Sequence, residues 1–223
     1  GNIFFEILRF IDGLEPKIVF LENVKNLQSH DKGRTFEIIK SELQDRGYYL
    51  DYKVLNSSEY GNVPQNRERI YIVGFKDKKA YENFDFPKQK KLNVKITDLL
   101  EKQADEYFYY HKSKYYPQLK EEMTNKDTVY QWRRKYVREN KSNLCPTLTA
   151  NMGTGGHNVP LIIDSKDIRK MTPRECARFQ GYDENFIFSE NMANSHLYKQ
   201  IGNSVTVSVI EAIAKEIRKA LDV

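Results

Sequence analysis

The sequence is short of the residues that staple or metallate a small domain. Cys145 and Cys176 are its only cysteines, far apart and in no paired motif, so no disulfide framework can be read from them. The four histidines, His30, His111, His157 and His196, fall at none of the helical or knuckle-type ligand spacings, which argues against a metal. No apolar run is long enough to cross a bilayer, and no apolar leader is visible, so no membrane partner is expected and a reducing, cytoplasmic setting is. An initiating methionine is missing too. The chain starts at Gly1 and enters an amphipathic helix pattern at once, as though cut from something longer.

What is present leans basic. Lys plus Arg number 36 against 31 for Asp plus Glu, a net +5, which suits a polyanionic partner. At 223 residues the chain can bury a real core, as one large domain or two small ones. Its most informative stretch is Val54 to Phe75, where two apolar strand-like runs flank a polar loop closing on Gln65, Arg67 and Arg69. Tyr71-Ile72-Val73 reads as a buried strand, and period two sends those three side chains to one side of its entrance. Two guanidiniums aimed alike suit a planar, electron-rich or anionic target; a solvated pair capping a sheet edge is the plain alternative.

Taken in order, Ile3, Phe4, Ile7, Leu8 and Ile11 recur at helical spacing, stopped by Gly13 and Pro16 before a buried-strand run, Lys17 to Leu21. Glu22 follows directly, where open α/β sheets bind ligands, and is a candidate acid or base or else a capping carboxylate. Phe36, Ile39 and Leu43 mark a second helix closed at Gly47, and Tyr48 to Leu55 alternates as a strand. The first seventy-five residues thus carry the α-β-α-β-loop-β rhythm of an α/β sheet. From Lys76 the chain turns Lys-rich and aromatic-rich. The aromatics could stack on bases, although packing in a small second core is their commoner role.

Gln131 to Asn143 carries Arg133, Arg134, Lys135, Arg138 and Lys141 against Glu139 alone, which suits phosphates or a solvated face. Cys145 to Pro160 combines Thr147, Thr149 and Asn151 with Gly153, Gly155 and Gly156 ahead of a strand, a composition that favours a recognition loop. Thr172-Pro173 with Glu175 forms a capping-box entry to a helix ended by Gly181. Gln200 to Val205 reads as the opening of a terminal helix, with Asn203 and Ser204 as ligand-binding polar groups or plain N-caps.

In this order GNIFFEILRFI, LENV, QNRERIYIVG, RKMTPRECARFQGY and QIGNSVTVSVIEAI resemble the fifth, sixth, eighth, ninth and tenth motifs of the DNA cytosine-C5 methyltransferases. The resemblance implies the carboxyl-terminal part of a Rossmann-like, S-adenosylmethionine-dependent α/β domain over residues 1–78. A small, irregular, mostly β target recognition domain would follow over 79–168, and 169–223 would return to the catalytic domain. It implies double-stranded DNA as partner and a cytosine flipped from the duplex. Glu22 would bond the N3/N4 edge of that base, Arg69 its O2, and Arg67 would lie beside the DNA backbone and this catalytic site. Asn203, Ser204 and Ile3 would contact the cofactor, while Thr147, Thr149 and the Gly153–Gly156 loop would meet phosphate and groove, and Gln65 is expected among the DNA contacts. A prokaryotic, nucleoid-associated enzyme is implied.

Two family parts are absent from this sequence. No proline precedes a cysteine, so the Pro-Cys nucleophile is missing, and so is the glycine-rich first motif. The expectation is therefore a piece that needs an amino-terminal part carrying the nucleophile and is inactive alone. A non-catalytic DNA-binding module is the rival reading, but it leaves Glu22 and Arg69 without a task.

Overall fold

Residues 2–133, 135–154 and 158–222 are described by a computed structural model of the chain. They form two units, one from residues 1–56, 68–88 and 211–223, the other from 57–67 and 89–210.

The first unit opens with α1 (Asn2–Leu14), which buries Leu8 and Ile11. It stops where Glu15 takes a left-handed φ of 42°. Strand β1 (Ile18–Val24) follows, then α2 (Arg34–Asp45), which buries Phe36, Ile39 and Leu43, and β2 (Tyr49–Asn56). Gly47, at φ +82°, makes the turn between α2 and β2 that its position in the sequence predicts. The chain then leaves this unit through a single helical turn, α3 (Ser57–Tyr60), and a two-residue strand, β3 (Gln65–Asn66), before returning as β4 (Glu68–Phe75).

The sheet order is β1-β4-β2, with β4 antiparallel to both neighbours. Strands β1 and β2 therefore run the same way, joined by the α2 crossover that parallel strands require, and β4 fills the slot between them. Ile70 and Ile72 join Leu8, Ile11, Phe36, Ile39 and Leu43 in one core. Tyr71, Val73 and Phe75, which point to the other face, are buried as well, so this strand is apolar throughout. Gly74 lies between Val19 and Leu50 in register, and a Cβ there would come within 2.5 Å of Val19 and 2.9 Å of Leu50. A short helix, α4 (Lys78–Glu82), capped by Asp77, ends the continuous part.

The second unit holds α5 (Tyr116–Glu122) and the strands β5 (Tyr130–Trp132), β6 (Val137–Glu139), β7 (Cys145–Pro146), β8 (Leu161–Ile163) and β9 (Ile168–Lys170). The order β6-β5-β8-β9 is antiparallel, and β7 pairs in parallel with β3. Helices α6 (Pro173–Phe179) and α7 (Asn194–Asn203) complete it, and α8 (Val207–Leu221) closes the chain. The capping box is as the sequence predicts. Thr172 accepts from the Glu175 amide, Glu175 accepts from the Thr172 amide, and Gly181 at φ +76° ends α6.

Two sequence expectations are corrected here. Glu22 is not beyond the strand but within it, because β1 continues to Val24 against Arg69 of β4. Asn203 and Ser204 do not open the terminal helix. They close α7, where the Ser204 hydroxyl turns back to the Ile201 carbonyl at 2.7 Å, and α8 begins only after the buried Thr206. Among the described residues no helix is long and apolar enough to cross a membrane, and no group of His, Cys, Asp and Glu could hold a metal ion.

Candidate functional site

In the first unit, β1 and β4 bring two of the predicted side chains together. Glu22 stands opposite Tyr71 and Val24 opposite Arg69, which makes Glu22 and Arg69 diagonal neighbours on the face away from α1 and α2. Arg69 Nε lies 3.1 Å from Glu22 Oε1, and both side chains are mostly buried. Arg69 Nη1 also donates to the Glu68 carbonyl at 2.8 Å. A guanidinium has five donors, so this one keeps donors beyond those two bonds, fixed in plane by them. A carboxylate and a forked donor held side by side match the donor and acceptor edge of a pyrimidine.

The other loop residues of that stretch behave differently. Gln65 is fully buried, and its amide is committed within the second unit: Nε2 donates to the Phe179 carbonyl (2.7 Å) and to Gln180 Oε1 (3.1 Å), while Oε1 accepts from the Leu148 amide (3.0 Å). Arg67, 3% exposed, donates from Nη1 to the Leu148 carbonyl (2.7 Å) and from Nη2 to the Ser204 carbonyl (2.6 Å). The sequence suggested that Gln65, Arg67 and Arg69 share one outlook. In the structure Gln65 and Arg67 are interior fasteners of one unit, and Arg69 is a partner of Glu22 in the other. The alternation fails because Arg67 is not part of β4, which starts at Glu68.

Thr147, half-buried, donates its hydroxyl to the Asn66 carbonyl at 2.7 Å, and Thr149 and Asn151 are exposed. Gly153 answers a need other than ligand approach. A Cβ there would stand 2.6 Å from the Ser195 carbonyl and 2.8 Å from Lys199 Cβ, so the glycine lets the loop lie on α7. Gly202 does the same from the helix side, with the Thr149 carbonyl carbon 2.1 Å from a hypothetical Cβ. Arg133 and Arg138 are exposed on the β5–β6 hairpin with Lys135 and Tyr136, and Arg133 donates to Gln131 at 3.3 Å. Arg134, Gly155 and Gly156 lie outside the described residues. Ile3 is 78% exposed on α1 and Asn203 is exposed at the end of α7.

Sequence reasoning passed over Ser57, Gln180 and Thr206, all buried polar residues bonded around Gln65 and Arg67. A glutamine ahead of the helix-ending Gly181 was the available sign for one of them.

Neither cysteine is poised for chemistry. Both are fully buried, and burial pushes each thiol well above its ordinary value, so the thiolate that a nucleophile needs is disfavoured. Both thiols are expected to resist an aromatic disulfide reagent at neutral pH in the folded chain and to react together on denaturation. Immediate release of one equivalent would contradict this burial.

The family model of the C-5 cytosine-specific DNA methylases matches residues 1–219. The chain belongs to this family. A Type II methyltransferase, M.Bsp6I of Bacillus sp. (strain RFL6), is 56% identical over 99% of the chain and 71% of the relative. The Type II methyltransferase M.SsoII of Shigella sonnei is 38% identical over the whole chain but only 58% of its own length, so the chain spans little more than half of that methylase. Among solved structures, the S. pombe Dnmt2 methyltransferase superposes with a TM-score of 0.72 at 19% identity, covering 99% of this chain and 72% of that one. That likeness shows the fold, a partial methyltransferase α/β architecture.

Proposed function

We propose that the chain is the carboxyl-terminal part of a sequence-specific DNA methyltransferase acting on C5 of a flipped-out cytosine. The observation that carries this reading is the Glu22–Arg69 pair. A DNA-binding module has no use for a half-buried carboxylate and guanidinium held 3.1 Å apart across neighbouring strands, whereas a cytosine edge offers an N4 amine, N3 and O2 to such a pair. Glu22 bonds the N3/N4 side, which spares the ring a full negative charge when C6 is attacked, and Arg69 holds O2. The attacking thiolate comes from an amino-terminal part carrying the Pro-Cys motif, since both thiols here are buried. Thiolate addition at C6 makes C5 nucleophilic; after methylation, loss of the C5 proton expels the thiolate.

S-adenosylmethionine supplies the methyl group. The exposed Ile3 side chain and the exposed Asn203 amide suit the apolar and polar parts of a nucleoside cofactor, each as a fraction of a pocket completed elsewhere. Ser204 takes part through its position, because its hydroxyl and carbonyl are bonded to Ile201 and Arg67. The amino-terminal part finds waiting surface on α1, where Ile3, Phe10 and Leu14 fall on one stripe and are exposed.

Residues 79–168 are the target recognition domain in this reading, with the β5–β6 hairpin, Thr149 and Asn151 facing DNA. Arg133→Ala should weaken binding to all duplexes alike and lower the slope of log K against log salt by about 1. An unchanged slope would remove Arg133 from the phosphate contacts. The overall reading is tested by intact-mass and peptide mapping of the native assembly, followed by a 5-fluorocytosine duplex trap. A covalent adduct on a Pro-Cys polypeptide bound to this chain supports it. Sequence-specific binding by this chain alone, with no partner and no trap, would favour the DNA-binding module.

A further inference from the structure

Within the second unit one planar group fastens two pieces of main chain that carry different proposed ligands. Arg67 Nη1 donates to the Leu148 carbonyl at 2.7 Å and Nη2 to the Ser204 carbonyl at 2.6 Å. Leu148 is buried between Thr147 and Thr149, and Ser204 directly follows the exposed Asn203. The same two pieces meet again at Gly202, where a Cβ would fall 2.2 Å from the Thr149 carbonyl oxygen and 2.4 Å from the Ala150 nitrogen. Neither piece can shift without moving the other or tilting the guanidinium.

The rest of the surroundings hold Arg67 still. Its carbonyl accepts from the Ser57 amide (3.0 Å), and its neighbour Asn66 accepts from Thr147 (2.7 Å). Ser57 and Thr206 share a hydrogen bond of 2.7 Å, Thr206 lies 3.3 Å from Gln180 Oε1, and Gln180 Nε2 donates to the Ile201 carbonyl at 2.9 Å. Gln65 joins Gln180 to the Leu148 amide. Ser57, Gln65, Gln180 and Thr206 are buried and bonded, which holds the Arg67 guanidinium through its two Nη groups even though its buried Nε has no hydrogen-bond partner among the described residues.

We propose that Arg67 is a positioning residue that couples the Thr147–Thr149 segment to the Asn203–Ser204 turn, so that DNA on the first and S-adenosyl cofactor on the second tighten each other. The ligand identities rest on the function proposed above. The coupling itself rests on the two-carbonyl clamp. Linkage makes it reciprocal: the factor by which cofactor tightens DNA equals the factor by which DNA tightens cofactor.

The experiment uses the full methyltransferase, this chain together with its amino-terminal part. Duplex affinity is measured with and without S-adenosylhomocysteine, and S-adenosylhomocysteine affinity with and without duplex. The wild type is expected to show the same factor both ways, at least about 5-fold. Arg67→Lys should bring the factor to within about twofold of unity, because an ammonium is a point donor that cannot hold both carbonyls in one plane. Should that variant fail to fold, Thr147→Val, which removes the bond to Asn66 at the surface, is expected to reduce the factor at least about twofold. The factor is a ratio, so loss of a DNA contact alone leaves it unchanged. A wild-type factor of one with both ligands bound, or a factor unmoved in a folded variant, overturns the coupling and spares the functional reading. A wild type that binds neither duplex nor S-adenosylhomocysteine overturns both.

Discussion

Arg69→Ala is expected to slow methyl transfer by the full enzyme about 10²–10³-fold, the usual cost of losing one preorganised donor at a reacting group. Duplex affinity should hardly change. Arg69 is mostly buried beside Glu22, and in the proposed reading the donors it keeps beyond Glu22 and the Glu68 carbonyl are taken by the base rather than by a phosphate. In the proposed reading, truncation also removes the partner that orients Glu22 on the base, so the two losses fall on the same transition state. Single-turnover transfer from labelled cofactor, measured beside duplex affinity, separates the cases. Equal loss of rate and of binding would mean that Arg69 merely attaches DNA. Arg69→Lys should recover part of the rate, because charge is kept while the forked geometry is lost.

Glu175→Ala is expected to destabilise the second unit by about 3–5 kcal/mol, the penalty for stranding a buried charge. Arg169 is completely buried and donates Nη1 and Nη2 to the two Glu175 oxygens at 2.8 and 2.7 Å. Those oxygens also accept from the amides of Thr172 and Glu101, both at 2.7 Å. One substitution therefore strips a buried guanidinium of its two-point carboxylate partner, leaving it Asp164 at Nε, and opens the α6 cap. A shift of the urea midpoint checks it, and a loss under about 1 kcal/mol would show that water or Asp164 replaces the missing carboxylate.

Asp164 shares the load through a 2.5 Å contact with Arg169 Nε. Burial pushes its carboxyl up, but the Asp167 and Lys166 amides, Arg169 and the Tyr109 hydroxyl hold it below the usual carboxylate value. Its folded-state value is depressed, so its contribution is present above the ordinary Asp range and is lost as pH falls through the depressed value.

Local signals in the sequence proved readable where one residue decides one feature. Gly47 supplies the left-handed turn after α2, and Thr172 with Glu175 supplies the cap of α6. Apolar spacing placed α1, α2 and the sheet strands to within a few residues. Pairing was harder, because nothing in RIYIVGF tells a central strand that it will run against both neighbours. At Asn203-Ser204 the composition suits either end of a helix, and tertiary contact decides: Ser204 closes α7 because Arg67 and Ile201 take its polar atoms. Gln65 shows the same limit. Its amide could face DNA or the interior, and only the positions of Phe179, Gln180 and Leu148, distant in sequence, settle which.

The first unit is not contiguous along the chain. It draws on residues 1–56, 68–88 and then 211–223. During synthesis its sheet strands leave the ribosome early, yet its last portion arrives only after the whole second unit has been made. The early strands must wait for that portion before their unit is complete, a window in which chaperones or aggregation can compete. Loss of residues 211–223 would therefore damage the unit whose strands were made before most of the second, and a ribosome pause between the codons for Lys88 and Glu211 would lengthen that wait.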